Sequence, residues 1–369
     1  MAQILRFPRR PLAAQLPAGV AVDSARKYLD TPIDARSDRH QSLLGNPDFL
    51  VALCGLLRER AESSPSTVAE ESAALYQWIS DSSAPLGLFD ERDYFLGEAA
   101  LLVGRTLRHL GERDEAELWL DRSEASFRHI VNSGPLLANV SYARLTLRYE
   151  ERRFQEVAEL VPSLIKSFDR LGMKLESAKA RFLNAVSLKQ CERSSEAVGI
   201  LDELRQDQAV ANEPALLGQV LVEIGEHLSV EERYVEATSC YRQAVPLIKQ
   251  SNRPLALASL KVSLAETFRR QELLDHALEG YRSALADFAE LGMSTYVAYL
   301  HVLVSETLIS CGRHREAEWE ILAALPTIEE QKMVPEGFAA VALLKESVRR
   351  RKTDPNALRE LREHLQASK

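Results

Sequence analysis

Glu226, Glu266, Glu306 and Glu346 recur every 40 residues, and each follows by four a small apolar side chain: Val222, Val262, Val302 and Ala342. Residues four apart share one face of a helix. If these stretches are helical, the pattern makes an acidic ladder beside an apolar strip. Such a surface suits an extended or helical segment of a partner, held by apolar contacts and oriented by charge. Near residue 100 the equivalent positions are Leu101 and Arg105, with Arg108 close by, so the same face should change sign along the chain. The alternative is that the glutamates face solvent or pair with Arg269, Arg270, Arg349 and Arg350, an arrangement that adds little stability.

No other constellation carries chemistry. A Gly-x-Ser-x-Gly elbow, a phosphate-cradling glycine loop and a His-Glu-x-x-His helix are all missing from the sequence. His109, His129, His227, His276, His301 and His314 are scattered without zinc-like spacing, and Cys54, Cys191, Cys240 and Cys311 likewise share none. No catalytic residue, cofactor or metal is expected. Trp78, Trp119 and Trp319 read as packing anchors, and Val348-Arg349-Arg350-Arg351-Lys352 reads as a solvated helix end that complements the dipole.

The elements that must position the glutamates show the same beat. Ala116, Val157, Ala197, Ala237, Ala277, Ala317 and Ala357 follow one another at 41 and then 40 residues. Each stands near the start of a predicted second helix, where two helices of a hairpin cross too closely for a large side chain. Gly104, Ala185, Gly225, Ala265 and Ser305 are the matching small residues of the first helices. Large anchors follow the alanines by four, as at Leu120, Leu201, Tyr241, Tyr281 and Ile321, and smaller residues by seven, on one helical face. Pro135, Pro214, Pro254 and Pro335 sit where first helices should begin. Gly172 and Gly292 are placed to end second helices in left-handed caps.

A small residue in the first helix, an alanine opening the second, a large residue four later and a small one seven later: this resembles the tetratricopeptide repeat, or TPR. Leu221–Pro246 and Lys261–Ala284 carry the pattern best, and the resemblance covers about residues 47–369. Its usual period of about 34 is lengthened to 40, as in arrays that look like those of MalT-type bacterial regulators. The unit around Val157 departs most, with Leu145 where a small residue is expected. The resemblance implies an all-α, right-handed TPR-like superhelical solenoid of antiparallel helix pairs with its first helices lining the concave face. It also implies a non-catalytic scaffold or adaptor in bacterial regulation, or else a peptide or small-ligand sensor module.

Composition agrees with a folded helical chain. Of the 369 residues 46% are hydrophobic and 27% charged, with only 16 Gly and 15 Pro. A net charge of −8 argues against a nucleic-acid partner, because phosphate binding needs a cationic surface. Both ends are basic and the middle holds the acidic excess. No uncharged apolar run is long enough to span a bilayer, so no membrane role is expected, and the cysteine usage points to a reducing, cytoplasmic setting. Residues 1–45 read as a flexible basic leader with a short helix near Ser24–Leu29. Residues 46–92 read as a degenerate first hairpin and loop, with Thr67 and Glu70 forming a capping box, and residues 93–369 as regular repeats closed by a capping hairpin. The expected partner is a protein or peptide segment with basic side chains, and self-association is compatible with the same surface.

Overall fold

In a computed structural model of the chain, the structure describes residues 17–36, 42–61, 63–81, 89–251 and 253–330, together with 359, 362 and 363. Among the described residues there is no strand. The chain divides into two units, residues 1–191 and 192–369. The first holds α1 (Ala18–Asp30), α2 (Pro47–Arg60), α3 (Pro65–Asp81), α4 (Phe89–Leu110), α5 (Arg113–Arg128), α6 (Gly134–Glu150), α7 (Phe154–Arg170) and α8 (Lys174–Gln190). The second begins with α9 (Ser194–Gln206) and a single turn at Gln208–Ala211. It continues through α10 (Pro214–Val230), α11 (Tyr234–Gln250), α12 (Pro254–Arg270), α13 (Leu274–Glu290), α14 (Ser294–Ser310) and α15 (His314–Glu330). Within each unit most helices pack on their chain neighbours, as α4 does on α5 and α10 on α11.

Proline opens α2, α6, α10 and α12 in their first turns, where its missing N–H has no intrahelical partner to lose. The turns between paired helices share one backbone device. Gly111, Arg152, Glu192, Glu232, Glu272 and Gly312 all have positive φ, and each stands five residues before the buried small residue of the second helix. Gly172 and Gly292, also at positive φ, end α7 and α13 as the sequence predicts. Ala116, Val157, Ala197, Ala237, Ala277 and Ala317 are all buried at the helix crossings. Ala357, Pro335 and the basic run at 348–352 lie outside the described residues.

The structure departs from the sequence reading in three places. Residues 18–30 are not part of a loose leader: α1 packs on α2 and buries Ala25 and Tyr28. Tyr28 meets Phe49 edge-on at 5.5 Å between ring centroids, and Arg36 lies 4.0 Å over the Tyr28 ring. Arg36 also forms a bidentate pair with Glu71 of α3 at 2.7 and 2.5 Å. The buried stripe, Ala21, Ala25 and Tyr28, is two-thirds alanine and gives little hydrophobic signal on its own. Second, the hairpin expected over residues 46–92 is loose, because α2 packs chiefly on α1 and α3 on α4. Pro65 opens α3, which places Thr67 inside the first turn instead of at the cap. Third, the irregular repeat is not the one at Val157, where α6 and α7 have the regular length of 17 residues. It lies at α9, which stops after 13 residues because Asp207 turns the chain and caps the following turn at the Ala209 N–H.

Candidate peptide-binding faces

Glu226, Glu266 and Glu306 stand at one position of α10, α12 and α14, each following the small residue that lets its helix approach the next. Glu266 is held from three sides. Arg269 donates to its two oxygens at 2.9 and 2.5 Å, Arg270 donates at 3.2 Å, and the Tyr281 hydroxyl donates from α13 at 2.6 Å. Burial pushes this carboxyl up, but the bonds from Arg269 and Tyr281 outweigh it and hold the pKa below its ordinary value. The pairing with Arg269 and Arg270 that the sequence offered as the bland alternative is therefore present at this rung.

At Glu306 the second helix carries Ile321 where α13 has Tyr281, so no phenol reaches the carboxylate. Arg362 supplies the missing donor, its Nη1 lying 3.0 Å from Glu306 Oε2. Burial raises the Glu306 pKa above its ordinary value, with Arg362 and Arg269 opposing it only in part and Glu266 adding to the rise. Between these rungs lies a cavity of about 300 Å³ lined by Val262, Glu266, Arg270, Tyr299, Leu303 and Arg362. At the first rung the Tyr241 ring lies against Gly225, and burial followed by the Glu226 charge raises the tyrosine pKa. Glu346 lies outside the described residues.

The apolar strip is only partly where the pattern put it. Val222 and Val262 are half-buried, and Val262 lines the cavity, but Val302 is 1% exposed inside the apolar cluster of α12–α15. Val302 packs into that cluster and does not line the cavity. Leu101 in the first unit fails in the same way: it is 3% exposed in a cluster with Leu107, Val140 and Ala143. Spacing alone fixes which face a residue shares, while burial depends on what the neighbouring helix lays over it.

Arg105 and Arg108 are half-buried on α4. Arg108 pairs with Glu150 of α6. Arg105 has no hydrogen bond or ion pair with any described residue. Burial lowers its pKa, with Glu98 opposing and Arg58 adding, though a guanidinium stays charged. Tyr142 of α6, which the sequence pattern did not single out, is close enough to Arg105 and Arg108 for their charges to act on it, although burial raises its pKa. Cys54 is buried, and that burial pushes its thiol up to about 12, with Glu98 adding to it, so it has no nucleophilic character at neutral pH. Among the described residues no cluster of His, Cys, Asp and Glu is arranged to hold a metal ion, and no helix is long and apolar enough to cross a membrane.

No protein-family model matches the chain, and no curated protein matches it either. Solved structures do. A signal transduction ATPase of the STAND class with a tetratricopeptide repeat sensor, from Pyrococcus horikoshii, aligns over 95% of this chain and 52% of its own, with a TM-score of 0.59 at 14% identity. The fold is a tetratricopeptide-like helical repeat. The TPR-like likeness extends to a Rap protein complexed with competence and sporulation factor, with a TM-score of 0.56 at 11% identity over 91% of this chain and 99% of that one. Aspartyl phosphate phosphatase F from Bacillus subtilis gives 0.53 at 12% identity over 98% and 94%. The chain spans about half the length of the STAND protein and nearly all of the other two. At these identities the TPR-like fold is what is shared.

Proposed function

We propose that this TPR-like chain is a non-catalytic interaction module that binds a basic segment of a protein partner along the face carrying Glu226, Glu266 and Glu306, with Glu346 as the expected next rung. One observation carries the reading. Glu306, the rung without a tyrosine beneath it, accepts an arginine from a segment 56 residues further along the chain, beside a cavity of about 300 Å³. The face thus has a place for a guanidinium, with apolar walls at Tyr299 and Leu303 to hold the stem of such a side chain. A cytoplasmic adaptor role belongs to the same proposal.

The test is competition at that place. Fluorescence anisotropy of labelled arginine-containing peptides should show tighter binding to Arg362→Ala, which frees Glu306, and weaker binding to Glu306→Gln. Equal affinity for both variants and the parent chain would sink the proposal. A second reading, a peptide or small-ligand sensor, is favoured by the same cavity and by the two similar structures described as a repeat sensor and as a complex with competence and sporulation factor. Under that reading a bound ligand should raise the thermal midpoint without any protein partner.

A further inference from the structure

In the second unit, α15 turns large apolar side chains to solvent. Its residues Ala317, Ile321, Ala324 and Ile328 are buried, and the opposite face carries Arg315, Trp319, Leu322 and Pro326, all exposed. Trp319, which the sequence pattern made a packing anchor, is 74% exposed, and Leu322 beside it is 47% exposed. The place of α15 after the other described helices of the array is not the cause. Forty residues earlier, on α13, the equivalent positions are Glu279 and Arg282, and on α11 they are Ser239 and Arg242. All four are exposed although α14 packs on α13 and α12 on α11. This is the face that the repeat leaves to solvent, and of these three helices only α15 makes it apolar. Contiguous apolar side chains bounded by charge mark a surface that meets another molecule.

We propose that a second copy of this chain covers the stripe, its α15 lying antiparallel on the first about a two-fold axis. The order of residues along the stripe is self-complementary in that arrangement. With the axis between Leu322 and Ala323, Trp319 meets the partner's Pro326 and Leu322 meets the partner's Ala323, so each large side chain faces a smaller one. Arg315, one turn before Trp319, meets the partner's Glu330, one turn beyond Pro326 at the other end of the helix. The two-fold axis makes each of these contacts twice. A parallel pair would instead set Arg315 on Arg315 and Glu330 on Glu330, which like charges oppose. Arg315 has no ion pair with a described residue, while Glu316 and Glu320 of the same helix are held by Arg313 and His301. One helix pair buries less than the about 1,200 Å² of a stable interface, so this association is weak and reversible. It concerns α15 and not the acidic positions of α10, α12 and α14, so it stands or falls apart from the functional reading above.

Sedimentation velocity of the full chain at rising concentration, through the micromolar range and above, tests this. The parent should pass reversibly from monomer toward dimer. Trp319→Glu combined with Leu322→Arg installs the pair that α13 already carries at the same places, so this variant should match the parent by circular dichroism and stay monomeric. Arg315→Glu should weaken the dimer roughly 10-fold or more by setting carboxylate against carboxylate. Adding Glu330→Arg to it should restore the parent's affinity, and this charge series reads the register without touching the apolar contacts. The proposal is overturned if the parent is monomeric throughout, if the Trp319→Glu, Leu322→Arg variant dimerises as the parent does, or if Glu330→Arg fails to rescue Arg315→Glu.

Discussion

Glu266 and Glu306 hold the same position in successive helices, and burial raises the pKa of both, yet the outcomes differ in sign. Tyr281 and Arg269 reverse the effect at Glu266; Ile321 cannot do so at Glu306. For Glu266 the folded pKa lies below the unfolded one, so its ionisation contributes stability above the ordinary carboxylate value, and that contribution is lost as pH falls through the folded pKa. For Glu306 the folded pKa lies above, so stability is fully present below the unfolded value and is lost as pH rises through the folded one. Glu266→Gln should therefore be less stable than the parent at pH 7, with the deficit shrinking in acid. Glu306→Gln should be no less stable at pH 7, and any advantage should vanish in acid. Urea midpoints of both variants between pH 7 and 4 measure this, and parallel curves would show that the two carboxylates share one environment. The ladder itself was legible in the sequence as a spacing, but this asymmetry was not, since it depends on a tyrosine and an isoleucine 15 residues downstream acting across a helix pair.

At the scale of the helix pair, the close crossing is what the repeat preserves. A Cβ built on Gly225 would lie 2.5 Å from Cε1 of the buried Tyr241, and the ring has no room to retreat. Gly199 in α9 has nothing within 4 Å of the same imagined atom. Replacing a mid-helix glycine by alanine gains up to about 1 kcal/mol in helix propensity, while overpacking a core costs about 1–3 kcal/mol. Gly199→Ala should thus stabilise the chain and Gly225→Ala should destabilise it by about 1 kcal/mol once the propensity gain is offset. Denaturant titration of the two variants decides the matter; stabilisation by both would mean that the crossing tolerates a methyl group. This part of the fold could be read beforehand because small residues recurring at a fixed interval mark the point in most repeats where two helices come close, the unit with Leu145 and Val157 excepted. The shortness of α9 could not, because Asp207 is an ordinary polar residue until it is seen to accept from the Ala209 N–H. Nor could the packing of α1, whose two buried alanines matter only because Phe49 and the Arg36–Glu71 pair close around Tyr28.

Across the whole chain, each unit has apolar clusters of its own. In the first, α1–α4 enclose Phe49, Leu53 and Phe95, while Val157, Val161 and Phe168 of α7 form another cluster with α6 and α8. In the second, Ala277, Tyr281, Phe288 and Val304 belong to one continuous cluster that runs through α12–α15. Stability in a repeat array is close to a sum of local terms and nearest-neighbour contacts, so a defect propagates only as far as those contacts carry it. A destabilised crossing at Gly225 should accordingly loosen α10 and α11 and the helices packed on them before it reaches the clusters of the first unit. Native-state hydrogen exchange on Gly225→Ala should show faster exchange in residues 214–250, with α4–α7 keeping the protection they have in the parent chain. Equal loss of protection in both units would mean that the array opens as a single cooperative body. A graded response would instead allow the acidic face of the second unit to order around a partner without loosening the helices of the first.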